Sequence, residues 1–168
     1  MIYGLTPAGA IHTILAVSSI AVGMIQVLRR KGGPAHRARG YAYVYALLIA
    51  DGAAMLVFQF TGKFNIFHVG AVANLACIVA AMVPLLRSPR PPNWKYLHYY
   101  FMSWSYVGLL AAAATEIVVR ASHLETRGQG WMVTMVMTAI VTVIGYILIE
   151  RNRPAPMSQM VQQEGVAS

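Results

Sequence analysis

The sequence predicts an all-α membrane protein of five transmembrane helices, with the first four forming an up-down bundle. Three observations carry that prediction. Of 168 residues, 58% are hydrophobic and only 11% are charged, a balance unlike that of an ordinary soluble domain. The apolar residues fall into five runs, each near the ~20 residues that span ~30 Å of hydrocarbon at ~1.5 Å per residue. The basic residues, which bring the net charge to +8, cluster in short segments between those runs. That is the pattern of cytoplasmic membrane loops and not of a nucleic-acid surface, so the expected partner is the lipid bilayer and no nucleic acid is expected.

The single cysteine, Cys77, stands inside an apolar run. It excludes an intrachain disulfide, a CxxCH haem attachment and a cysteine-rich metal site.

Helix 1 is predicted over residues 7–28. No basic segment precedes it and its charges follow it, so it reads as a retained anchor and not as a secretory signal. After RRKGGP, helix 2 is predicted over 34–60, with Pro34 suited to its first position. The short turn TGKFN leads to helix 3 over 66–86, and the basic, proline-rich loop RSPRPPNW leads to helix 4 over 95–119. The polar segment RASHLETRGQG precedes helix 5 over 131–149. Residues 1–150 thus form one transmembrane domain. The stretch 151–168, rich in Pro, Gln and Ser, is expected to be a disordered cytoplasmic tail.

Basic residues set the orientation. Arg29, Arg30, Lys31, Arg37 and Arg39 lie between helices 1 and 2 or at the start of helix 2, Arg87, Arg90 and Lys95 between helices 3 and 4, and Arg151 and Arg153 after helix 5. The positive-inside rule places these in the cytoplasm and the N-terminus outside, as expected for a multi-pass protein of a bacterial inner membrane.

Histidine placement carries the functional expectation. His12 on helix 1 and His68 on helix 3 fall near the outer surface, whereas His36 on helix 2 and His98 on helix 4 fall near the inner one. In an up-down bundle, helices 1 and 3 face each other diagonally, as do helices 2 and 4. Two imidazoles facing across a bundle core suit axial ligation of b-type haem. The expected metal ligands are therefore His12 with His68 and His36 with His98, holding two haems or one, with the irons ~20 Å apart. Interfacial histidines satisfied by water or backbone are the plainer alternative, but four on four successive helices, alternating in level, form a more specific pattern. Arg30, Lys31, Arg37 and Arg39, with Arg120 on the other side, are candidates to pair with haem propionates, or else they serve topology alone.

The order His12, Gly23, the basic cluster with Lys31, His36, His68 and His98 resembles the core of the ascorbate-reducible transmembrane di-haem cytochrome b family. In that family four successive helices each give one histidine, and alternate helices pair. The resemblance covers about residues 10–120 and implies the same two pairings. That family places an extra helix before its histidine core, whereas here the extra helix follows. The opening His12, His36, Arg37 and Gly40, an H…HRxxG pattern, is also similar to a family of small uncharacterised bacterial membrane proteins, a likeness that implies no activity.

Two acids lie within the runs. Asp51, near the middle of helix 2, either takes up a proton or hydrogen-bonds a neighbouring helix. Glu116 stands four residues before Arg120, the spacing of an ion pair. A rival chemistry is zinc on His12, His68 and Glu116. The leading expectation is a membrane oxidoreductase moving electrons between a quinol or soluble reductant and an acceptor such as ferric iron or quinone. The alternatives are the zinc enzyme and a non-catalytic membrane subunit. A homo-oligomer fits any of them, and His123 is left without a role.

Overall fold

The computed structural model describes residues 6–58, 62–122 and 127–154. His123 and Glu125, the first five residues and most of the expected tail lie outside the described residues. Five helices follow in order: α1 (Pro7–Leu28), α2 (Gly33–Ala54), α3 (Ile66–Leu86), α4 (Trp94–Ala121) and α5 (Arg127–Arg151). Four carry segments long and apolar enough to cross a membrane: α1, α3, α4 and residues Gly128–Arg151 of α5. The fifth, α2, is of similar length but carries His36, Arg37, Arg39 and Asp51. The chain divides into two compact units, Met1–Leu75 and Ala76–Ser168, with α3 contributing one half to each.

In the first unit, α1 starts where sequence chemistry directs it. Thr6 caps it by accepting the Gly9 N–H at 3.1 Å, and Pro7 occupies the first turn. The helix ends at Leu28, and the basic segment leads into Gly32 (φ 85°) and Gly33 (φ 78°). Both lie in the left-handed region where a side chain is strained, so the tight reversal into α2 depends on them. Along α2 the buried residues are Tyr43, Val44, Leu47, Ala50 and Asp51. Their spacing is one helical face. Small residues of α1, Gly9, Ser19 and Gly23, are buried in turn, which permits close approach of a neighbouring helix. The opposite side of α1 exposes Ile14, Val17 and Leu28, the surface that hydrocarbon covers.

Helix α2 stops earlier than the expected residue 60. The Leu56 and Val57 amides bond to Ala53 O and Ala54 O, three residues back. These tighter turns break the α-helical ladder and deliver the Phe58 ring onto His68, 5.0 Å between centroids. Helix α3 begins at Ile66 because Asn65 Oδ1 accepts the Phe67 N–H at 2.9 Å, a side-chain cap.

In the second unit, α4 and α5 pack together. Tyr99 donates its hydroxyl to Ile149 O at 3.0 Å. Gly145 sits so close to Val107 that a Cβ added there falls 2.5 Å from a Val107 methyl. Both helices run slightly beyond their expected ends, 95–119 and 131–149, through apolar or helix-compatible flanks.

The Gly145 approach yields a direct test. Gly145→Ala should destabilise the protein by about 1–3 kcal/mol, the usual cost of overpacking. Thermal unfolding in detergent should show a lowered Tm, and adding Val107→Ala should recover part of the loss.

Candidate functional site

His12 lies in the second turn of α1 and is half-buried. Its Nδ1 is 2.9 Å from Ala50 O on α2. A carbonyl only accepts, so Nδ1 carries the hydrogen and, in the neutral ring, Nε2 keeps its lone pair. Asp51 follows Ala50 and is only 7% exposed. Its Oδ2 accepts a hydrogen bond from Asn74 Nδ2 on α3 at 2.9 Å. The imidazole of His12 is within Coulombic reach of the same carboxyl. Asp51 is the single acidic residue in the first 75 of the sequence, and hydrogen bonding to α3 is the alternative that this geometry displays. The Asn74 Oδ1 atom has no hydrogen-bond partner among the described residues.

A second tie joins the other ends of α1 and α2. Gln26 Nε2 lies 2.8 Å from His36 Nδ1 and donates to His36 O at 2.9 Å. Arg39 Nε donates to Gln26 Oε1 at 3.0 Å, which fixes the orientation of the amide. His36 Nδ1 therefore accepts, and its hydrogen is on Nε2. His12 and Gln26 stand fourteen residues apart on α1, as do His36 and Ala50 on α2. The two helices therefore run antiparallel and in register over ~21 Å at ~1.5 Å per residue.

His68 is 2% exposed. It lies between the Phe58 and Phe64 rings, each 5.0 Å from its own between centroids. Its Nδ1 accepts the Asn65 N–H at 3.2 Å, so its hydrogen is on Nε2, which has no partner among the described residues. In the second unit, His98 Nδ1 lies 3.3 Å from Ala81 O. That repeats the His12 arrangement at a longer distance. The four expected ligands thus divide by tautomer. His12 and His98 turn an unprotonated Nε2 outward from their backbone bonds, whereas His36 and His68 hold Nδ1 as the acceptor.

The basic candidates also divide. Arg30, Lys31 and Arg37 are exposed, and Arg39 is engaged with Gln26. Arg120 pairs with Glu116 through Nη2 at 2.6 Å and Nε at 3.0 Å, the expected bridge one helical turn apart. Among the described residues no three of His, Cys, Asp and Glu gather as a metal-binding set. Sequence reasoning passed over Asn74, Gln26 and Asn65. Asn74 was the visible omission, since it is an amide inside the apolar run 66–86, where an unpaired polar group is costly.

The Asp51–Asn74 bond predicts a coupling. Asn74→Leu should cost about 1–3 kcal/mol by leaving the buried carboxyl without its donor. The double variant Asp51→Leu/Asn74→Leu should cost less than the sum of the two single changes. Unfolding of all four proteins in one detergent measures the coupling.

Residues 9–151 match the family described as "Predicted membrane protein (DUF2306)". No curated protein matches the chain, and neither does any solved structure. With nearly the whole helical region covered by that match, and with apolar helices long enough to cross a bilayer, this chain belongs to the DUF2306 family of predicted membrane proteins.

Proposed function

We propose that this chain is a transmembrane electron-transfer protein that binds b-type haem, with His12 and His68 as axial ligands in the first unit. The observation that carries this reading is the His12 Nδ1–H bond to Ala50 O at 2.9 Å. A backbone acceptor on Nδ1 fixes the ring orientation and leaves Nε2 basic, as metal-ligating histidines require. The buried His68 Nε2 adds support, because it has no hydrogen-bond partner among the described residues and is open to a ligand once the ring changes tautomer.

The donor set fits on one side and must adjust on the other. His12 is prepared to give its lone pair as it stands. For His68 to do so, its ring hydrogen has to move from Nε2 to Nδ1, and the Asn65 N–H bond to Nδ1 has to give way. Phe58 and Phe64 flank that ring and exclude water from it. A bound haem would supply one-electron chemistry between ferric and ferrous iron.

The reading includes the topology. α2 crosses the membrane beside α1, bringing Arg37 and Arg39 to the same cytoplasmic surface as Arg29 and Arg30 and leaving the N-terminus outside. His12 then lies near the outer surface. The electron partners are a quinol or soluble reductant on one side and ferric iron or quinone on the other. A second reading is structural, with the histidines serving as helix ties alone. The occupied Nδ1 atoms of His36 and His68 favour it.

A reduced-minus-oxidised optical spectrum of detergent-purified protein separates the two. The haem reading expects b-type bands that disappear in His12→Ala and in His68→Ala, with both variants still eluting as folded protein. A colourless wild-type protein, prepared from cells supplied with haem precursor, would overturn it.

A further inference from the structure

The loop between α3 and α4 carries an arrangement that the histidine site does not use. Arg87, Ser88, Pro89, Arg90, Pro91 and Pro92 line a surface crevice of ≈ 370 Å³. At ~30 Å³ per water, that is room for a phosphate group with its hydration shell. Arg90 is held in place at two points. Its Nε donates to Leu85 O at 2.9 Å, taking up a carbonyl at the end of α3. Its guanidinium carbon also lies 4.9 Å over the Trp94 ring. The terminal nitrogens of that guanidinium have no hydrogen bond or ion pair among the described residues. Arg87 is exposed and has no side-chain partner there either, and Lys95 Nζ approaches the same indole at 5.8 Å.

Among the described residues nothing nearby neutralises these cations. The sequence contains no acidic residue between Gly52 and Thr115. α5 brings Glu150 to this end of α4, as the Tyr99–Ile149 bond shows, but Arg153 already holds it at 2.9 Å. The loop also joins two helices that are each long and apolar enough to cross a membrane. It therefore lies at a membrane surface, with Trp94, Tyr96 and Tyr100 where interfacial aromatics belong.

We propose that this crevice binds the phosphate of an anionic phospholipid, with Arg90 as the positioned donor, Arg87 as the second cation and the Trp94 indole as the platform. Arginine suits the role because its planar fork offers paired donors to phosphate oxygens. A lipid is favoured over free phosphate because the crevice stands where anionic headgroups are concentrated and where a single basic residue contributes about 1 kcal/mol of attraction.

The test uses the full chain carrying Trp104→Phe and Trp131→Phe, which leaves Trp94 as the sole tryptophan. It is reconstituted into mixed phosphatidylglycerol and phosphatidylcholine vesicles in which one lipid or the other has brominated acyl chains. Quenching of Trp94 gives the relative association of the two lipids within each variant, so a change in intrinsic emission cancels. Association should favour phosphatidylglycerol about fivefold or more, given ~1 kcal/mol per basic residue. The preference should fall towards parity in Arg90→Gln and weaken in Arg87→Gln. Lys63→Gln, at the other end of α3, should leave it unchanged. Equal quenching by both lipids in the parent protein, or a preference that survives Arg90→Gln, overturns the proposal. Inorganic phosphate is added separately to pure phosphatidylcholine vesicles, at ionic strength matched with chloride. If it shifts Trp94 emission as much as phosphatidylglycerol does, the site is one for free phosphate and the lipid assignment fails.

Discussion

A polar group carried to hydrocarbon depth has no water to turn to, so each must find its partner within the protein. Several polar groups of the first unit have such partners. His12 bonds to the Ala50 carbonyl, Gln26 spans His36 and Arg39, and Asp51 takes the Asn74 amide. These bonds join α1 to α2 and α2 to α3. Apolar packing alone would tolerate a slide of one helix along another, because lipid and leucine are nearly equivalent surroundings. Two polar ties at matching intervals on α1 and α2 do not tolerate it. Register in this hairpin is therefore held by hydrogen bonds, and the small residues Ser19 and Gly23 let the backbones come near enough to form them.

The same ties determine what each imidazole has left to offer. A histidine whose Nδ1 donates to a carbonyl keeps a basic Nε2, whereas one whose Nδ1 accepts an amide hydrogen places its proton on Nε2. His12 belongs to the first kind and His68 to the second. Histidines that look interchangeable along the chain are thus chemically distinct, and the difference comes from a neighbour thirty-eight residues away in one case and three in the other. Phe58 reaches His68 only because α2 unwinds at Met55–Val57. An uninterrupted helix to residue 60 would carry that ring elsewhere.

The second unit is built differently. α4 and α5 meet through the close approach of Gly145 to Val107 and a tyrosine-to-carbonyl bond. Charge there is pushed to the ends, in the Glu116–Arg120 and Glu150–Arg153 pairs and in the cations of the α3–α4 loop. Apolar helices with charged ends need few internal polar ties in a bilayer, since their backbone bonds are satisfied locally.

Composition and run length determined by themselves that this is a multi-helix membrane protein, because the apolar runs and basic segments are local properties that no partner can alter. The limits of α1 and α3 were legible from Pro7, the basic turn, the short TGKFN segment and the RSPRPPNW loop for the same reason, as was the Glu116–Arg120 pair, which one helical turn dictates. What only the tertiary structure decided was which atom of each histidine is occupied, that Asp51 is bound to Asn74, and that Gln26 joins His36 to Arg39. Those depend on helix register and rotation, which are set by the packing of residues distant in sequence, and a pattern of residue types read along one chain carries no record of either.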